Sequence, residues 1–102
     1  MRDIQIQAAR DALAELGGPV QFTSGEYSEE ISALIRPDVT DFDELGNMVV
    51  MTTLRAVSVD MPGLGSGSTF QDESGQLYKF MATLKHDGIT RLCRIGKTSA
   101  GA

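Results

Sequence analysis

Gly96-Lys97-Thr98 has the residue types that close a phosphate-binding loop, where glycine lets backbone amides approach an anion and lysine neutralises it. That chemistry needs a glycine five residues before the Gly-Lys pair, and Arg91 occupies the place. It also needs a helix behind the loop to aim its first amides at the phosphates, and only four residues follow Thr98. Gly63-Leu-Gly-Ser-Gly67 joins two strand patterns, so it lacks the strand-to-helix setting of a dinucleotide fingerprint and reads as a flexible turn. His86, the single histidine, sits beside Asp87-Gly88 at a hairpin tip. Acid–base or nucleophilic work would require a nucleophile or an orienting acid within reach, and Asp87 points to the other side of a strand. Asp41-Phe-Asp-Glu44 concentrates carboxylates, but a calcium loop wants glycine at its sixth place and glutamate at its twelfth. Counted from Asp38, those places hold Asp43 and Val49. Cys93 is the only cysteine, so no internal disulfide forms and zinc would lack thiolate partners; in a strand pattern it reads as a small buried hydrophobe. No catalytic, cofactor-binding or metal-binding constellation emerges from these residues.

The elements that hold them are mostly short strands. Gln76 to Lys85 alternates, with Tyr78, Phe80, Ala82 and Leu84 on one side, and Ile89 to Ile95 returns after Asp87-Gly88. Side chains alternate across a strand, and Asp-Gly between two such runs signals a two-residue hairpin turn. Asp3 to Leu16 reads as a helix with Ile6, Ala9, Leu13 and Leu16 in one stripe, Asp3 as N-cap, and Gly17-Gly18-Pro19 as its stop. The stripe is thin. The helix therefore either covers one end of a sheet or stays loosely docked until a partner arrives. Val20 and Phe22 form a short strand, and Ser28 to Arg36 a second with Ile31, Ala33 and Ile35 on one face, ended by Pro37. Asp38 to Asn47 holds four acids in ten residues together with Val39, Phe42 and Leu45. It is expected to be an exposed loop that orders against a partner, in preference to one packed on its own domain. Met48 to Asp60 is expected to form two strands, and Ser68 to Gln71 another. The prediction is one mainly β domain over 1–102: a helix over 3–16, a β domain over 19–95, and a frayed tail over 96–102. Its architecture would be a small antiparallel sandwich or barrel of six to seven strands with a short N-terminal α-helix.

Composition narrows the function classes. No run of about 18 apolar residues exists to span a membrane, and the start of the chain lacks the uninterrupted apolar stretch of a secretory signal. A reducing cytoplasm suits a chain with one thiol. The net charge of −5 argues against a nucleic-acid footprint. From Glu26 to Glu44, seven acids (Glu26, Glu29, Glu30, Asp38, Asp41, Asp43, Glu44) face Arg36 alone, whereas Lys79, Lys85, Arg91, Arg94 and Lys97 dominate from Gln76 to Thr98. The two segments read either as separate solvated faces or as complementary faces on a subunit that packs against copies of itself.

In order and motif the chain resembles the head–tail joining (tail attachment, or head–tail connector) proteins of lambda-like long-tailed phages. The features are the short amphipathic helix, Val20-Gln-Phe-Thr-Ser-Gly-Glu26, then Ile35-Arg-Pro-Asp38 before an acidic loop, Gly67-Ser-Thr-Phe70, and the final apolar–basic strand Leu92-Cys-Arg-Ile95. The likeness runs from Asp3 to Ile95; the short, weakly basic tail and the glycine-rich Gly63 to Gly67 depart from the family pattern. The resemblance implies a structural virion protein of a phage or prophage, without catalysis or cofactor. It would form a ring, a hexamer in the virion and either that ring or a monomer when free, at the virion neck after synthesis in the host bacterial cytoplasm. Its partners would be portal or head-completion proteins and the tail terminator, with no membrane and no specific nucleic acid. Interfaces are expected at Asp38, Val39, Asp41, Phe42, Asp43, Glu44 and Leu45, at Ile6 and Leu13 of the helix, and at Arg91 and Arg94. The alternatives are another neck or tail-terminator protein, or a small ligand- or oligonucleotide-binding barrel; an enzyme comes last.

Overall fold

The computed structural model describes residues 2–98. Helix α1 (Arg2–Leu16) leads into β1 (Gly18–Ser24), β2 (Tyr27–Phe42) and β3 (Met48–Val57). A single 3₁₀ turn, Ser58–Asp60, and a glycine-rich connection then lead to β4 (Thr69–Gln71), β5 (Leu77–His86) and β6 (Thr90–Thr98). The six strands close a barrel in the order β1-β2-β3-β6-β5-β4, with every neighbouring pair antiparallel. The expected mainly β, antiparallel architecture with a short N-terminal helix is thus the observed one.

Alternation builds the interior. Val20 and Phe22 of β1, Ile31 and Ala33 of β2, Leu54 and Ala56 of β3, Phe70, Tyr78, Cys93 and Ile95 form one buried cluster. Phe22 stacks in a tilted pair on Phe70, with ring centroids 5.4 Å apart, which fixes β1 to β4 across the barrel wall. Helix α1 lies outside the barrel, placing Ile6 and Leu13 over Val57, with Ala9, Leu34 and Ile89 at the margin. Arg10 adds a two-pronged contact to Asp60, including Nε to Oδ2 at 2.9 Å.

The helix covers the barrel wall, which decides between the two expectations for it. Two details differ. Asp3 lies inside the first turn instead of capping it, and Leu16 is 71% exposed, beyond the reach of the sheet. Gly17 serves close approach: its backbone passes so near Ala33 that a Cβ would sit 2.0 Å from the Ala33 carbonyl oxygen.

Three stretches of strand differ from expectation. Met48 to Val57 is one continuous strand in its pairing with β2 and β6. The alternation shifts within it because Thr53 and Val57, off the inward register, are buried all the same, Val57 beneath the helix. On β5, bulges insert Met81 and Leu84 as extra residues opposite β6. Tyr78 stays buried and Phe80 half-buried, but Ala82 and Leu84 are exposed, so the expected four-residue face breaks after Phe80. The turn that follows spans Asp87-Gly88-Ile89, with the Asp87 amide donating to the Thr90 carbonyl. Finally, β6 runs through Gly96-Lys97-Thr98, which pair with Lys79, Tyr78 and Leu77. That tripeptide is extended ladder, not frayed tail or phosphate loop. The rest of the expected tail, 99–102, lies outside the described residues.

Candidate functional site

Beyond Arg36 the chain was expected to leave the sheet. Instead β2 continues to Phe42 and pairs with β3 down to Met48. Pro37 and Asp38 form a bulge between the Arg36–Thr53 and Val39–Met51 pairs, and Asp38 adopts a left-handed φ of 57°. A bulge accommodates the proline, which has no amide for the ladder, and asparagine or aspartate tolerates that conformation better than most residues. Past the bulge the two strands form a ribbon that no other strand flanks. Its tip closes on Asp43, whose carboxylate accepts the amides of Leu45 and Asn47 at 2.9 Å each, while Gly46 takes a φ of 82°. The Asn47 amide is the main reason the Asp43 carboxyl is held below its usual range.

Register assigns the ribbon's faces. Paired residues of an antiparallel ladder share a face. Leu54 and Ala56 point into the barrel, so Val50 and Met48 continue the same face of β3, joined by Thr40 and Phe42. Beyond the barrel that face has nothing to cover it: Phe42 is 68%, Met48 67% and Val50 59% exposed, and Leu45 at the tip 86%. Asp43 and Glu44 stand at the tip beside them, whereas Asp41, paired with Val49, falls on the opposite face of the ribbon. The expected acidic and apolar exposed segment is present, but as a structured arm and not as a loop.

The cations gather elsewhere. The adjacent strands β3, β6 and β5 carry Arg55, Arg91, Arg94, Lys97, Lys79 and Lys85, and no acid. Arg55, Arg94 and Lys85 fall on the outward register with Leu92 and Thr53. Arg91 falls on the inward register with Cys93, is half-buried, and its Nε finds no hydrogen-bond partner among the described residues. At the root of the arm a cleft of about 300 Å³ opens on the outer wall, lined by Leu34, Arg36, Val39, Thr53, Arg55 and Leu92. The residues expected at interfaces therefore separate. Asp38, Val39, Asp41, Phe42, Asp43, Glu44 and Leu45 lie on one arm, and Arg94 is on the outer wall. Arg91 faces inward, and Ile6 and Leu13, at 8% and 5% exposure, are taken up by the contact of the helix with its own barrel.

One pairing escaped the sequence reading. Ser58 Oγ lies 3.0 Å from His86 Nε2, so the histidine does have a hydroxyl in reach. The contact is tertiary, joining the end of β3 to the β5–β6 hairpin, and no local spacing reports it. The Ser58 amide is engaged with the Ile89 carbonyl and Asp87 with its own turn, so neither offers the hydrogen bond that would orient or stabilise a reacting group. A groove of about 440 Å³ between the helix end and the β4–β5 turn is lined largely by apolar groups, with Asp72 and Glu73 as its charged residues. Cys93 is fully buried and its thiol is pushed up to about 11 by burial. No group of three or more potential metal ligands occurs among the described residues. No family model matches this sequence, and no curated protein matches it significantly.

Proposed function

We propose that the chain is a structural assembly subunit of a phage or prophage virion, acting at the neck to join the DNA-filled head to the tail. The observation that carries this reading is the β2–β3 arm, a paired ribbon extending from a closed barrel with Phe42, Leu45, Met48 and Val50 exposed. A small domain that leaves such a group of large apolar side chains in water has a use for it in contact with another protein. The arm grows from the acidic stretch that supports the resemblance to head–tail joining proteins. Ring formation, with portal or head-completion protein on one side and tail terminator on the other, is the corresponding mode of action. A ring needs two different surfaces on each subunit, and segregated charge supplies two.

Deleting the gene from the phage or prophage that encodes the chain tests this directly. Electron microscopy of the lysate should show filled heads and finished tails lying apart, and added purified protein should restore joined particles. Normal virions from the deletion would overturn the proposal.

A further inference from the structure

We infer that the tip of the β2–β3 arm seats in the cleft at the root of the arm on a second copy of the same chain. This rests on reading the chain as an assembly subunit and names the contact that subunits make with each other. The tip offers Phe42 and Leu45 exposed, with Glu44 at the turn and Asp41 on the opposite face of the same ribbon, so that an inserted tip presents both chemistries. The cleft offers the complement: Leu34, Val39 and Leu92 line it, and Arg36 and Arg55 supply its cations. Apolar meets apolar while carboxylates meet guanidinium groups, a pairing that also fixes register.

The occupant cannot be the chain's own tip. Phe42 lies six residues beyond Arg36 on the same extended strand, which places it roughly 20 Å away along a paired ribbon that does not fold back. A second copy is favoured over an unrelated partner because one polypeptide carries both halves of the complement. Its net charge of −5 otherwise makes two copies repel. Strands β3, β6 and β5, which carry no acid of their own although Asp87 of the adjoining turn lies near Arg55, form the wall where an acidic arm meets least repulsion. Tip into root is a head-to-tail contact, which propagates from copy to copy and closes when the rotation allows.

The test uses the full chain with a nitroxide on Leu45→Cys, mixed with an isotope-labelled unmodified chain. Cys93 is buried and stays unlabelled in the fold. At about 1 mM, enough to populate even weak contacts, the amides of Leu34, Arg55 and Leu92 in the labelled chain should broaden. The broadening should shrink several-fold at about 1 M salt, where screening acts within about 3 Å. It should vanish in R36E/R55E and return when the spin-labelled chain carries D41K/E44K, which leaves Asp43 to close the tip. Should R36E/R55E lose its dispersed spectrum, D41K/E44K against the unmodified chain gives the same reading, since broadening must then fall. No broadening, or broadening centred away from the cleft, overturns the inference. If it is absent while the gene deletion still leaves heads and tails apart, this contact alone is refuted.

Discussion

Gly17 has almost no freedom, because the helix hands over to the barrel at a point where its backbone lies against the Ala33 carbonyl. Gly17→Ala should cost at least about 1–3 kcal/mol in urea unfolding, as overpacking does in a closed core. A near-neutral result would mean the helix end shifts freely. Asp38 is the opposite case, a side chain in a conformation that favours glycine. Asp38→Gly should be neutral or stabilising, and Asp38→Val should lose about 1–2 kcal/mol. At the far turn, the Asp87 carboxyl is held down to about 2, chiefly by the Thr90 and Ile89 amides and the Thr90 hydroxyl. Its folded value lies below the ordinary one near 3.9, so its contribution is complete above about pH 4 and is lost as pH falls from there through about 2. Asp87→Asn should flatten that part of the stability–pH profile. An unchanged slope would show that the turn forms no differently when protonated.

The arm is the element whose character was least legible beforehand. Alternation identified the barrel strands because burial on one side writes a period of two into β1, the first half of β2 and β6. In the arm no residue is fully buried and apolar side chains stand on both faces, half-buried Val39, Val49 and Met51 on one and exposed Phe42, Met48 and Val50 on the other. No polar–apolar alternation therefore marks it, and Pro37 reads as an end where the fold makes a bulge. The bulges at Met81 and Leu84 misled in another way, shifting register by one residue each within a run that looks regular. Leu84→Ala should accordingly cost less than about 1 kcal/mol, since the side chain is 39% exposed; a loss of several kcal/mol would return it to the core. Replacing Asp41 to Val49 by a short turn should leave the thermal unfolding of the barrel unchanged within a few degrees while removing contacts between copies. A collapse of the fold would mean that the arm supports the barrel. Of the site itself, composition revealed the acidic and basic partition, but not that β3, β6 and β5 would lie side by side, which is a matter of pairing order.

Across the whole molecule, the six strands do not contribute equally to closure. Long ladders join β2 to β3 and β5 to β6, whereas β4 has three residues and holds β1 to β5 through three pairs on each side. Closing a barrel removes its raw edges only while every seam holds. With so few backbone bonds there, the seam depends on Phe70 packing against Phe22, and on the buried Ser68 and the Ser24 hydroxyl beside it. Regions with few such bonds open first in native-state fluctuations. Amide hydrogen exchange should therefore find the Thr69–Gln71 segment less protected than Leu54 or Cys93, and a truncated Phe70 side chain should widen that gap. A barrel that breathes along one short zip can unroll into a single curved ribbon. Its inner greasy face would then become available without any strand being lost.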